Sequence, residues 1–215
     1  MRMALFQLDP ESIAARVRAA GRTAPVPTLV ESITRGMLGF TCVSVAGFLP
    51  WPIFELWFRK MGEMHLYVAC TAVFIGLSGV CLHKLILDPG SLSRFYKLFT
   101  LAFLVYAAVW VTGWVTLRGE AGSIVGLLGG TAAMGAILCL AFDVPRRMPA
   151  VIFALFALNT LGYYAGGWMM GKLIGEHRFA AMLSWGLGYG IGFGAGLGVA
   201  FHLCQAHARA LLRAI

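Results

Sequence analysis

Residues 113–120 read Gly-Trp-Val-Thr-Leu-Arg-Gly-Glu, and the same frame occurs twice more. Pro50-Trp51 runs to Gly62-Glu63, and Gly167-Trp168 runs to Gly175-Glu176. Each copy closes one long apolar stretch and opens the next. An indole at the end of such a stretch sits where hydrocarbon meets headgroups, and glycine then lets the chain turn tightly. The frame predicts one helix hairpin used three times.

Composition sets the solvent for those hairpins. The 215 residues are 60% hydrophobic and 12% charged, with mean hydropathy +0.81, outside the range of soluble globular domains. Apolar runs at 37–58, 64–86, 97–117, 121–142, 149–171 and 178–204 each approach the ~20 residues that cross a bilayer as a helix. A transmembrane barrel would show shorter, alternating segments. The expected fold is all-α and polytopic: hairpins at 37–86, 97–142 and 149–204 forming a pseudo-threefold six-helix bundle.

Matching positions extend the repeat into the helices. Leu38, Leu101 and Leu155 align when Trp51, Trp114 and Trp168 are superposed, and Leu128-Gly129 and Gly135-Ala136 match Leu187-Gly188 and Gly194-Ala195. In architecture, though without shared sequence motifs, this resembles the acid-gated urea and amide channels, three helix hairpins around a pore. That resemblance implies a path along the repeat axis.

Lys and Arg number twelve on the face of the two termini (Arg2, Arg16, Arg18, Arg22, Arg35, Lys84, Arg94, Lys97, Arg146, Arg147, Arg209, Arg213). They number five on the other (Arg59, Lys60, Arg118, Lys172, Arg178). The positive-inside rule then places both termini in the cytoplasm of a cell with the chain in its inner membrane. The net charge of +8 faces anionic lipid, and no soluble segment offers the basic, aromatic-interleaved patch of a nucleic-acid binder. Residues 1–36 form a cytoplasmic segment in which Asp9-Pro10-Glu11 starts a short amphipathic helix lying on the leaflet. Residues 205–215 form a basic tail.

The last span alternates glycine with larger residues. Gly186, Gly190, Gly194 and Gly198 share one face, and Gly188, Gly192 and Gly196 share another. Two flat strips invite two close neighbours, one of them from a second copy or another membrane subunit. The pattern resembles the glycine-rich first helix of rotary ATPase rings, which work with a carboxylate at mid-membrane. No span here carries Asp or Glu near its middle.

Candidate chemistry is sparse. Asn159, at mid-span, needs a partner within the membrane, and Thr160, Tyr163 and Tyr164 extend it into a polar track for solute contact. Glu63, Glu120 and Glu176, with His65, His177 and Trp51, Trp114 and Trp168, are read as a mouth; the acids double as first-turn charges of the helices they begin. His83 and His202 suggest a bis-histidine haem site; otherwise no cofactor or metal is implied, and Cys42, Cys70, Cys81, Cys139 and Cys204 lack metal spacing. No HExxH, GxSxG, P-loop or dinucleotide fingerprint occurs, which argues against an enzyme. The leading functional expectation is a channel or transporter for a small solute or ion. The alternatives are a structural or assembly subunit of a membrane complex and, third, a haem-binding or other membrane enzyme.

Overall fold

The computed structural model describes residues 6–21 and 26–214, with only the backbone of Phe58, Arg59 and Glu63. Arg2 and Arg22, counted above, lie outside the described residues. The chain forms α1 (Pro10–Ala19), α2 (Leu29–Phe48), α3 (Pro50–Met61), α4 (Glu63–Leu82), α5 (Leu92–Leu117), α6 (Gly119–Ala141), α7 (Met148–Leu173), α8 (Arg178–Cys204) and α9 (Ala206–Arg213). Six stretches are long and apolar enough to cross a membrane: α2 with the first part of α3, α4, α5, α6, α7 and α8. No strand occurs among the described residues.

Element ends differ from the apolar runs where polar chemistry sets them. α2 starts at Leu29 rather than 37 because Thr28 and Glu31 form a capping box. The Glu31 amide donates to Thr28 Oγ1 at 3.2 Å, and the Thr28 amide donates to Glu31 Oε2 at 2.8 Å. Pro50 and Pro52 lack the N–H that α2 would need to continue straight. The helix accordingly kinks, with Phe54 at φ −111°, ψ 20°.

The long helices form a closed ring in chain order, each packing on the next and α8 returning to α2. α1 and α9 pack together, so both chain ends lie at one face of the bundle, the terminal face; the Gly-Glu turns lie at the opposite, hairpin face. The apolar side of α1 (Ile13, Ala14, Val17), expected on lipid, is buried in protein. Asp88 explains why. Its buried carboxylate takes Arg16 Nε at 2.8 Å and Arg94 Nη2 at 2.5 Å, fastening α1 to the connection between α4 and α5. The segment after 205 is likewise a docked helix, in which Arg209 is pushed down to about 10 by burial and then by Arg213 and Arg147.

All seven alternating glycines of α8 are buried, and both strips are filled from within the chain. A Cβ on Gly192 would stand 2.6 Å from Gly162 Cα, and one on Gly188 would stand 2.6 Å from Gly166 Cα, both on α7. On the other strip, a Cβ on Gly198 would stand 2.7 Å from Ile33 Cα and one on Gly190 2.7 Å from Thr41 Cα, both on α2. The strip expected to seat another subunit is therefore spent on α2. Small residues permit this approach, and dispersion across it replaces a hydrophobic drive that lipid cannot supply. Ser44 adds a bond across the seam, donating to Gly186 O at 2.7 Å.

Rings fill the axis between the helices. Phe95, Phe99, Phe103, Tyr106, Trp110 and Trp114 recur every three or four residues on one side of α5. Trp185, Tyr189, Phe193 and Phe201 share one side of α8 at spacings of four, four and eight, with Leu197 at the intervening place. The two rows meet, with Phe95 and Phe201 centroids 5.8 Å apart and Tyr106 and Phe193 5.0 Å apart. Phe40 and Phe74 complete the layer at 5.7 Å from each other.

Two measurements check this packing. Gly192→Ala and Gly188→Ala push on backbone that cannot give, and each is expected to cost about 1–3 kcal/mol in detergent-solubilised thermal unfolding. Gly167→Ala, whose Cβ meets open space, is the neutral control. Asp88→Ala leaves two arginines facing each other and is expected to cost about 3–5 kcal/mol, with faster hydrogen exchange across α1.

Candidate functional site

A cavity of about 240 Å³ occupies the hairpin half of the bundle. It exists because neighbouring helices are held unevenly. α4 and α5 are pinned toward the terminal face, where Tyr96 fills the space beside Gly79 and donates to Gly76 O at 2.6 Å. Phe74 and Phe103, 5.4 Å apart, close the same level. Beyond them the helices part, and Tyr67, Cys70 and Thr71 on α4 face Ala107, Trp110 and Val111 on α5 across the cavity. Trp51, Tyr163 and Trp185 complete the far wall.

Behind this apolar lining lies one buried polar cluster. Asn159, fully buried on α7, donates through Nδ2 to Tyr106 Oη at 2.9 Å, and Tyr189 donates to the same oxygen at 3.3 Å. Both bonds converge on the Tyr106 oxygen. Asn159 Oδ1, Thr160 Oγ1 and the indole Nε1 of Trp110 are buried without partners among the described residues. Such groups cost of order 1–3 kcal/mol each when unmet, more where no water reaches. The cluster has hydrogen-bonding capacity to spare, beside a space large enough for a small molecule.

The sequence candidates divide. Asn159 belongs to the cluster and Tyr163 to the cavity wall, where its Oη lies 3.4 Å from Ser123 Oγ. Tyr164 points the other way and donates to Glu120 at 2.7 Å on the exposed side. The three tryptophans have three different settings. Trp51 lines the cavity and meets Trp185 at 6.4 Å, and Trp114 stacks on Trp110 at 6.2 Å. Trp168 is two-thirds exposed with Lys172 Nζ 5.9 Å over its ring, the setting expected of a belt residue.

The acids do not form one ring of equivalent caps. Glu120 occupies the first turn of α6, and α4 begins at Glu63, whose side chain lies outside the described residues. Glu176 corrects the expectation: its amide bonds back to Leu173 O, and α8 begins only after His177, with no acid in its first turn. Gly62 and Gly119 turn with positive φ (97° and 56°), whereas Gly175 does not, so the third turn is a different structure. His65 is exposed and meets the ring of Trp57 at 6.5 Å. His83 Nδ1 engages Gly79 O at 2.9 Å, and His202 Nδ1 engages Ser32 Oγ at 3.2 Å. The two histidines thus have separate hydrogen-bond partners, on α4 and on α2. No cluster of three or more metal-ligating side chains occurs among the described residues.

Tyr106, Trp110, Trp185 and Tyr189 were missed as site residues. The aromatic rows of α5 and α8 were visible at three- and four-residue spacing, and two such rows in separate spans are a signal for a shared aromatic interior. Comparison with protein-family models, curated proteins and solved structures finds no match to this chain.

Proposed function

We propose that this chain is a membrane carrier for a small solute with an apolar or aromatic body and a hydrogen-bonding end. The observation that carries this is the aromatic cavity beside the under-satisfied Asn159–Tyr106–Tyr189 cluster. Aromatic walls hold an apolar body, and a few convergent polar groups fix its orientation. Stacked phenyl rings fill the terminal half of the axis, which favours a one-sided carrier over an open ion channel. Of the three supports for an assembly subunit, the glycine faces are used within the chain, which leaves the basic terminal segment and the few embedded ionisable groups.

The ring of helices in chain order supports a triplicated hairpin as its origin, with α8 since specialised for close packing. The count of basic residues supports termini on the cytoplasmic side of an inner membrane, with the cavity facing out.

Transport in proteoliposomes tests the reading, using radiolabelled phenol, benzoate, indole and aromatic amino acids as probes. Uptake of at least one probe is expected to saturate and to fall to the empty-liposome rate when Ala107→Trp fills the cavity. Asn159→Leu is expected to lower uptake about tenfold while changing stability by under about 1 kcal/mol, because an apolar replacement removes a half-satisfied group. Stability lost without loss of uptake would assign Asn159 to packing alone. Non-saturable uptake of every probe, or a steady ion conductance, would overturn the carrier.

A further inference from the structure

A second cavity, of about 190 Å³, lies against the first and shares Tyr67, Trp110 and Val111 with it. It climbs α5 through Trp114 and Val115 to Arg118 at the hairpin face. Arg118 is exposed and forms no ion pair among the described residues; its backbone turns at φ 54°, ending α5. Together the two spaces make one wedge along α5, on the hairpin side of the Tyr96–Gly76 pin. Arg118 to Tyr106 is twelve residues of helix, or roughly 18 Å at 1.5 Å per residue. The lining changes along that length from a cation, through indoles, to phenyl and phenol rings.

We propose that this wedge binds a single-chain amphiphile with an anionic head, its carboxylate or phosphate on Arg118 and its tail between Trp110 and Tyr106. The proposal shares the cavity with the carrier reading above and goes beyond it: here the polar end lies at Arg118, not at the Asn159 cluster. Charge decides the head: among the described residues Arg118 is the cation in the cavity walls, and no Asp or Glu lines them. Guanidinium suits both carboxylate and phosphate, binding either through paired N–H donors. Position decides the route. The seam lies along two membrane-length helices, so a lipid-like molecule enters sideways, head at the interface and tail in the protein. An apolar tail also explains why so large a space carries few polar lining groups.

The cavity tryptophans report occupancy. In a Trp57→Phe/Trp168→Phe background the chain retains Trp51, Trp110, Trp114 and Trp185, each on a cavity wall. Terminally brominated dodecanoate, added to this protein in nanodiscs, is expected to quench their emission saturably. Dodecyl phosphate and unlabelled dodecanoate are then used as competitors, and displacement by either supports the proposal while ranking phosphate against carboxylate. Arg118→Gln is expected to weaken the brominated acid about tenfold and to leave its uncharged methyl ester unchanged. Ala107→Trp is expected to abolish binding of both.

Equal binding of acid and ester, indifferent to Arg118→Gln, would overturn the anionic head. Quenching that never saturates, in a protein that still shows saturable uptake of a small aromatic probe, would overturn the amphiphile and leave the carrier standing. Failure of both assays would remove both readings.

Discussion

Backbone-to-backbone contact along α8 is the constraint from which the rest of this molecule follows. A helix with seven alternating glycines has little intrinsic preference to form and no side chains on its glycine faces with which to pack. It becomes stable here because α2 and α7 lie on it so closely that no Cβ fits at Gly188, Gly190, Gly192, Gly194 or Gly198. The gain is dispersion over a long seam, in a solvent that offers no hydrophobic drive for helices to associate. The two glycine strips therefore lock three helices into a slab.

The slab explains the interior. With both glycine faces taken, the remaining large side chains of α8 (Trp185, Tyr189, Phe193, Phe201) project toward the axis, where the aromatic row of α5 meets them. Ring-on-ring packing then fills the terminal half of the bundle. At the hairpin end, Pro50, Pro52 and the kink at Phe54 carry the end of the first span away from a straight path. No glycine seam joins α4 to α5 along that half, where the glycine contacts of α5 are with α6, and the cavity opens there. Tight packing on one side of the ring leaves the opposite side able to open.

The ion-paired terminal face has a different role. Asp88, Arg16 and Arg94 tie α1 to the loop between spans, and Gln205 clamps the same loop, donating to Leu85 O at 2.8 Å and accepting from the Leu87 amide at 2.9 Å. Both chain ends are thereby folded under the closed half of the bundle. Any rearrangement that opened the cavity toward that face would have to move this cap as well as the stacked rings.

Hydropathy and length were enough to place the spans, and the Gly-Glu pairs to place the tight turns at Gly62 and Gly119, because those properties are local along the chain. The buried need of Asn159 was equally legible, since a carboxamide at mid-span must find a partner. The start of α2, the docking of α1 and the partner of Asn159 were not, because each depends on one polar group meeting another chosen by the fold. Sequence repetition made Trp51, Trp114 and Trp168 look equivalent, yet two face cavities and one faces outward. Likewise the glycine strips announced close packing without saying whether the neighbour was this chain or another. Local chemistry determines which segments become helices; which face of each helix meets which neighbour is decided only when all of them compete for the same interior.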